Sequence, residues 1–283
     1  MKSFHKPETL FITKVRLLVH SLKRSLEFYQ DILGFYVTYH DHKNAFLSAD
    51  QTNILIELLE DSHAKPLGLT QGLYHYAILV HKRSDLAGII KRLINHRYPI
   101  SGASDHGVSE AIYLDDPDGH GIEIYTDRTP DEWPQENDAL TMYTRPLDIN
   151  SLMMELESDV PSKMPSLSQM GHIHLHVPNL EEAKKFYMDT LGFELVMMYG
   201  ESALFISDQK YHHHIGLNTW LKDAPLCEVR QIGLKAYFLN VPKSMYLALL
   251  KRLDKAHITL LEDDDGHYVI DPLNQKLVFL FQS

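Results

Sequence analysis

Cysteine is almost missing from this 283-residue chain. Cys227 stands alone, which excludes an internal disulfide and any CxxC metal site. Its flank Pro225-Leu226 offers nothing to activate a thiolate, so a structural role is expected. Positive charge is also scarce. With 27 Lys and Arg against 38 Asp and Glu, the formal charge is −11, which argues against a broad nucleic-acid surface. No apolar run approaches the roughly 20 residues of a membrane span. The start, Met1 to Pro7, lacks the apolar stretch of a signal peptide. A cytoplasmic protein with neither a membrane nor a nucleic-acid partner is expected. Hydrophobic residues at 44% and charged residues at 23% are ordinary globular usage and exclude general disorder. The one excess is histidine, with 18.

Repeats organise the chain. At a constant offset of 158, Val19/Val177, Leu22/Leu180, Phe28/Phe186, Tyr29/Tyr187, Asp31/Asp189, Leu33/Leu191, Gly34/Gly192 and Phe35/Phe193 coincide. Each copy reads as an apolar strand, a turn, an amphipathic helix closed by glycine, then a strand. Residues 74–127 and 231–281 share the strand–helix–strands order, with Lys91-Arg92-Leu93 matched by Lys251-Arg252-Leu253 and Asp116-Pro117 by Asp271-Pro272. The spacing predicts four βαβββ units, at about 10–60, 72–127, 170–220 and 231–283. Two sequence halves, 8–127 and 170–283, flank a connector, 128–169, that holds five of the 13 prolines.

Four such units, with the Phe-Tyr-x-Asp-x-Leu-Gly-Phe helix end in units one and three, resemble the vicinal-oxygen-chelate superfamily of glyoxalases, bleomycin-resistance proteins and extradiol dioxygenases. The resemblance covers nearly all of the chain except the connector. It implies an α+β fold whose βαβββ modules pair into two cup-shaped, mixed or antiparallel sheets, each around a candidate metal site. Association into a homo-oligomer is expected. Fold alone does not settle activity, so function is argued from the site.

Alternate residues of a strand share a face. In Ile173-His174-Leu175-His176-Val177 the apolar residues form one face, leaving His172, His174 and His176 for the cup interior. In unit two, Tyr76, Ile78 and Val80 form the packing face, while His75 and Ala77 point inward. Glu123 alternates with Ile122 and Ile124 and also points inward. Buried imidazole and carboxylate groups are costly unless paired or bound to metal. His75, Glu123 and His172 make the two-histidine, one-carboxylate set of non-haem Fe(II) oxygenases. His81, His96, His120 and His257 are assigned to the core or the surface. In units one and four the matched positions are Lys14, Lys235 and Val278, with Glu57 kept in unit one. Protonated lysine has no lone pair for a metal, so that cup should hold none. Lys14 and Glu57 could pair there instead. Ligands confined to units two and three depart from the commoner extradiol arrangement, in which units three and four carry them. The two units could meet within one chain or across a subunit interface.

The stretch from His106 through Tyr113, Asp116-Pro117 and Gly119 to Glu123 closely resembles the extradiol dioxygenase signature, with Ser104 as its one departure. By that resemblance His106 and Tyr113 border the substrate hydroxyls, and one histidine of the run His212-His213-His214 is the acid–base group. Alternation with Ile215 and Leu217 favours His214, with His213 as the alternative. The implied activity is ring cleavage of a catechol with O2 to a 2-hydroxymuconic-semialdehyde-type product. The implied metal is Fe(II), with Mn(II) as the alternative. Two other readings compete. A glyoxalase I-like isomerase or lyase typically needs a fourth ligand where this chain has Leu217 or Asn218. A metal-free module binding aromatic antibiotics has no use for the triad.

Overall fold

The computed structural model describes residues 4–137, 139–158 and 161–282. Unit one comprises β1 (Phe11–Val19), α1 (Leu22–Leu26), β2 (Tyr36–His40), β3 (Asn44–Ser48) and β4 (Ile54–Glu60). Unit two comprises β5 (Gly72–Val80), α2 (Arg83–Asn95), β6 (Gly102–Asp105), β7 (Ser109–Asp115) and β8 (Gly121–Asp127). The connector carries β9 (Gln135–Glu136), β10 (Ala139–Leu140), β11 (Arg145–Pro146) and α3 (Ile149–Met153). Unit three has β12 (Gln169–His176), α4 (Leu180–Lys184), β13 (Glu194–Tyr199), β14 (Ala203–Ser207) and β15 (Ile215–Asn218). Unit four has β16 (Gly233–Val241), α5 (Tyr246–Lys255), β17 (Leu261–Asp263), β18 (Gly266–Ile270) and β19 (Lys276–Phe281).

In every unit the first strand pairs parallel with the last, and the other pairings are antiparallel. The units join in two mixed sheets. One runs β17-β18-β19-β16-β1-β4-β3-β2 and the other β11-β6-β7-β8-β5-β12-β15-β14-β13. Units one and four therefore share a sheet, as do two and three, through the antiparallel pairs β1·β16 and β5·β12. This answers the question of pairing. Units two and three meet within one chain.

The helices tie the units the other way. Ser21 caps α1 through Arg24 N, and Asn179 caps α4 through the amides of Glu181 and Glu182. Both helices then widen into one π-helical stretch, Glu27–Ile32 and Lys185–Thr190, which the repeat motif did not announce. Tyr29, on the first stretch, bonds Tyr76 and Asp116 of unit two at 2.9 Å each. Tyr187 repeats this with Tyr237 and Asp271 of unit four, both at 3.1 Å. Arg92 of α2 donates to the carbonyls of Leu33, Pro161 and Lys163, and Arg252 of α5 to those of Thr190 and Leu191. The residues that recur in the sequence are thus the ones that lock unit one to two and three to four. Sheets and locks together close the four units into a ring around one continuous apolar core.

The connector is more than a spacer. Pro146 sits on the edge strand β11, paired with Ser104 of β6, where a missing N–H costs no ladder bond. No helix among the described residues is long and apolar enough to cross a membrane.

Gly34 is required twice over. Its φ is +85°, and an added Cβ would strike the Arg92 guanidinium, the Ser162 carbonyl at 2.7 Å and the Met164 amide at 2.8 Å. Gly266 has φ +99° but open space around it. Gly34→Ala should lower unfolding free energy by about 3 kcal/mol, and Gly266→Ala by about 1 kcal/mol. Urea unfolding of both variants measures the difference. Equal losses would show that the groups packed around Gly34 give way to a methyl group at no cost.

Candidate metal centre

Ala77 explains how three strands deliver their side chains to one point. It lies opposite Glu123 in the parallel pair β5·β8 and opposite His172 in the antiparallel pair β5·β12. Glu123 and His172 therefore sit two strand spacings apart, roughly 10 Å between backbones. The methyl group of Ala77 leaves room for them to reach toward each other over it. His75, two residues along β5, shares that face. His75 Nε2 lies 3.1 Å and His172 Nε2 3.3 Å from Glu123 Oε2. One donor atom from each residue falls within 4.8 Å of the other two, and all three side chains are buried.

The donors fit a divalent cation. Neither His75 Nε2 nor either ring nitrogen of His172 makes a hydrogen bond, although all three atoms are buried. The contacts with Glu123 are close but not aligned for donation. Burial would raise the Glu123 carboxyl, but His172 and His75 outweigh it and hold that group well below its ordinary value. Burial lowers His172 to about 4, with Glu123 only partly opposing it. A carboxylate beside imidazole nitrogens that make no hydrogen bond is the donor set that an oxygenase-type metal needs.

Tyr113 and His106 stand next to this trio. His106 Nδ1 faces the Tyr143 carbonyl at 3.0 Å and so carries the proton, leaving Nε2 to accept from the Tyr113 hydroxyl at 2.6 Å. Burial, reinforced by Glu123, pushes the Tyr113 phenol far above its ordinary value, so it remains a donor.

The histidine run is placed differently from the alternation argument. His213, not His214, lines the cavity, with its ring 4.1 Å from that of His172. His214 turns away toward His5 and Tyr211, its nitrogens 3.2 Å from Asp208 N and 3.3 Å from Phe4 O. The reason is local. The strand begins only at Ile215, so its two-residue period does not govern the irregular backbone of 211–214. His212 forms a bridge that sequence reasoning missed. Asp127 Oδ1 accepts from His212 Nε2 at 2.8 Å, and His212 Nδ1 lies 2.8 Å from His213 Nδ1. If the first bond fixes the proton of His212 on Nε2, then Nδ1 must accept, and His213 donates from Nδ1. His213 Nε2 is left unprotonated.

His75, Glu123, His106, Tyr113 and His213 all border one cavity of about 680 Å³. The sequence reading also left out His174, Tyr74, Trp220 and the connector residues Met142, Tyr143 and Thr144, which complete its walls. The inward direction of His174 was legible, but no repeat marked the connector. Asn218, where a glyoxalase-type fourth ligand would be sought, spends its amide on His174 at 3.0 Å and His176 at 2.6 Å. His81, His96 and His257 are exposed, and His120 is buried against Asp116 at 2.8 Å.

The cup of units one and four holds ions of another kind. Lys14 and Arg16 both pair with Glu57, and Arg16 and Lys276 both pair with Asp265. The Lys14 ammonium also lies 3.9 Å from the Phe238 ring centroid. Among the described residues only His75, Glu123 and His172 form a metal-type cluster.

The model of the Glyoxalase/Bleomycin resistance protein/Dioxygenase superfamily matches residues 12–124 and 169–223. The chain is 41% identical over 280 residues to the catechol-2,3-dioxygenase of Bacillus subtilis (strain 168), which covers 97% of both proteins. It is 29% identical over 125 residues to biphenyl-2,3-diol 1,2-dioxygenase 3 of Rhodococcus globerulus, 41% of this chain and 64% of that protein. Glyoxalase I of Zea mays matches with a TM-score of 0.57 over 95% of this chain and 92% of that one; at 16% identity the likeness concerns the fold alone. The chain therefore belongs to the Glyoxalase/Bleomycin resistance protein/Dioxygenase superfamily. Within it, the chain is a catechol-2,3-dioxygenase-like enzyme.

The buried imidazoles predict acid lability of the metal-free protein. Burial lowers His5 and His172 to about 4 and pushes His174, His213 and His214 well below the ordinary value. From pH 6.5 down to 4 the unfolded chain binds more protons at these groups, so stability is lost as pH falls. Asp271, raised to about 6 by burial, and Asp115, raised by burial and by Asp116, act oppositely, but they are two groups against five. Unfolding free energy should drop by roughly 3 kcal/mol or more between pH 7.5 and 4.5. Urea titrations of chelator-treated protein at the two pH values check it. A flat profile would contradict it.

Proposed function

We propose that this enzyme is an extradiol dioxygenase, which cleaves the ring of a catechol beside its two hydroxyls and inserts both atoms of O2. The product is of the 2-hydroxymuconic semialdehyde type. The observation that carries this reading is that His75 Nε2 and both ring nitrogens of His172 are unbonded around the Glu123 carboxylate, with His75 and Glu123 bordering an aromatic-walled cavity. His75, Glu123 and His172 would hold Fe(II), with Mn(II) as the alternative. When bound, the dication supplies adjacent positions for the diol and O2 and lets electron density pass between them.

This chain's own groups handle protons and orientation. His213 Nε2, kept bare by the His212 bridge, takes a proton from a substrate hydroxyl and returns it later in the cycle. His213 thus takes the acid–base role that alternation had given to His214. Tyr113 stays protonated, gives its one proton to His106 Nε2 and so offers its oxygen as an acceptor for a substrate hydroxyl. Trp220, Tyr74 and Phe205 give the same cavity its aromatic walls.

Two substitutions test the assignment. His172→Ala should fold, retain less than a tenth of the metal and lose the yellow ring-fission product of catechol. His213→Ala removes the proposed base and leaves the three donors in place. Turnover should fall by about 10²–10⁴ with metal content unchanged. Wild-type turnover in His213→Ala would remove His213 from the mechanism.

A further inference from the structure

We infer that the cavity selects catechols that carry a neutral, apolar substituent about the size of a second ring, over both bare catechol and carboxylated catechols. This inference rests on the dioxygenase reading above.

Size is the first argument. The cavity of about 680 Å³ lies within the roughly 300–1,000 Å³ that hold drug-sized ligands. A single-ring diol held at the His75 and Glu123 end leaves most of it to water. Anything attached to that ring must extend along the walls toward the mouth.

The walls are apolar and adaptable. Tyr74 and Trp220 meet edge to face with centroids 5.4 Å apart, yet stay 41% and 45% exposed, so broad ring surface is left uncovered. His174 continues this wall to Phe205, 5.7 Å away between ring centroids. Met142 and Met197 also line the cavity, with Met142 N 3.2 Å from Met197 Sδ, so a connector residue meets strand β13 there. Thioethers repack readily around irregular apolar groups, whereas a second aromatic ring gains from stacking on tyrosine and tryptophan.

Charge is the second argument, and it is independent. No lysine or arginine is among the described residues that line the cavity, while Asp115 and Glu123 are. Arg145, next in sequence to the lining residues Tyr143 and Thr144, places its guanidinium 4.2 Å from the Tyr143 ring centroid and does not line the space. Ser101, Ser104 and Thr144 add neutral hydroxyls. A carboxylate on the substituent would find no lysine or arginine along these walls and would lie near Asp115.

The test has two arms. In the first, tryptophan fluorescence of the metal-free protein is titrated with 3-phenylcatechol, catechol and 3,4-dihydroxybenzoate. In the second, kcat/KM for ring fission of the same compounds is measured on the Fe(II)-loaded enzyme. The inference predicts at least tenfold tighter binding and tenfold higher kcat/KM for 3-phenylcatechol than for catechol, with 3,4-dihydroxybenzoate weakest in both arms. Trp220→Leu should bring the 3-phenylcatechol to catechol ratio toward one, and Met197→Lys should improve 3,4-dihydroxybenzoate relative to catechol. Equal or better performance of catechol or 3,4-dihydroxybenzoate overturns the selectivity and leaves the dioxygenase reading standing. Ring fission of none of the three overturns the dioxygenase reading, and the fluorescence order then decides the selectivity alone.

Discussion

Everything at the site depends on the antiparallel pairing of β5 with β12. That contact joins units two and three and sets His172 opposite Ala77, which in turn faces Glu123 across the parallel pair β5·β8. A slip of one residue would turn His172 into the apolar core and bring Ile173 into the cup, because strand side chains alternate. The register is defended by burial on the other face. Tyr76, Ile78, Ile173 and Leu175 all belong to the continuous core. Metal chemistry at this cup is therefore supported by hydrophobic packing on the reverse side of the same two strands.

The fold supports two cups but equips only one. The locks made by Tyr29 with Asp116 and by Tyr187 with Asp271 are near copies, as are those of Arg92 and Arg252. At the centres the copies diverge. Lys14 stands where His172 stands, and the Glu57 carboxylate accepts from Lys14 and Arg16. One cup thus works as an internal ion network that holds units one and four together, and the other keeps His75 Nε2 and both ring nitrogens of His172 without a hydrogen bond.

Much of this was legible in the sequence because both β alternation and the repeat offset are strict. The four units, the His75, Glu123 and His172 trio and the empty role of Lys14 all follow from period-two patterns in buried strands. His213 was harder to read, because the chain at 211–214 is not yet a strand and no period applies there. The His212 to Asp127 bridge joins residues 85 apart and leaves no local trace. Unit pairing was equally hidden, since sheets and helix locks join different partners and a sequence records only their order. The connector's wall residues Met142 and Tyr143 carry no repeat to point at them.

The central claim is that one dication sits among His75, Glu123 and His172 of a single chain. Anomalous diffraction at the iron edge from crystals of Fe(II)-loaded protein tests it most directly. The account predicts one peak per chain, on the order of 2.1 Å from one nitrogen of each histidine and one oxygen of Glu123. A peak in the Lys14 and Glu57 cup, a peak completed by a ligand from another subunit, or no peak at the trio would contradict it.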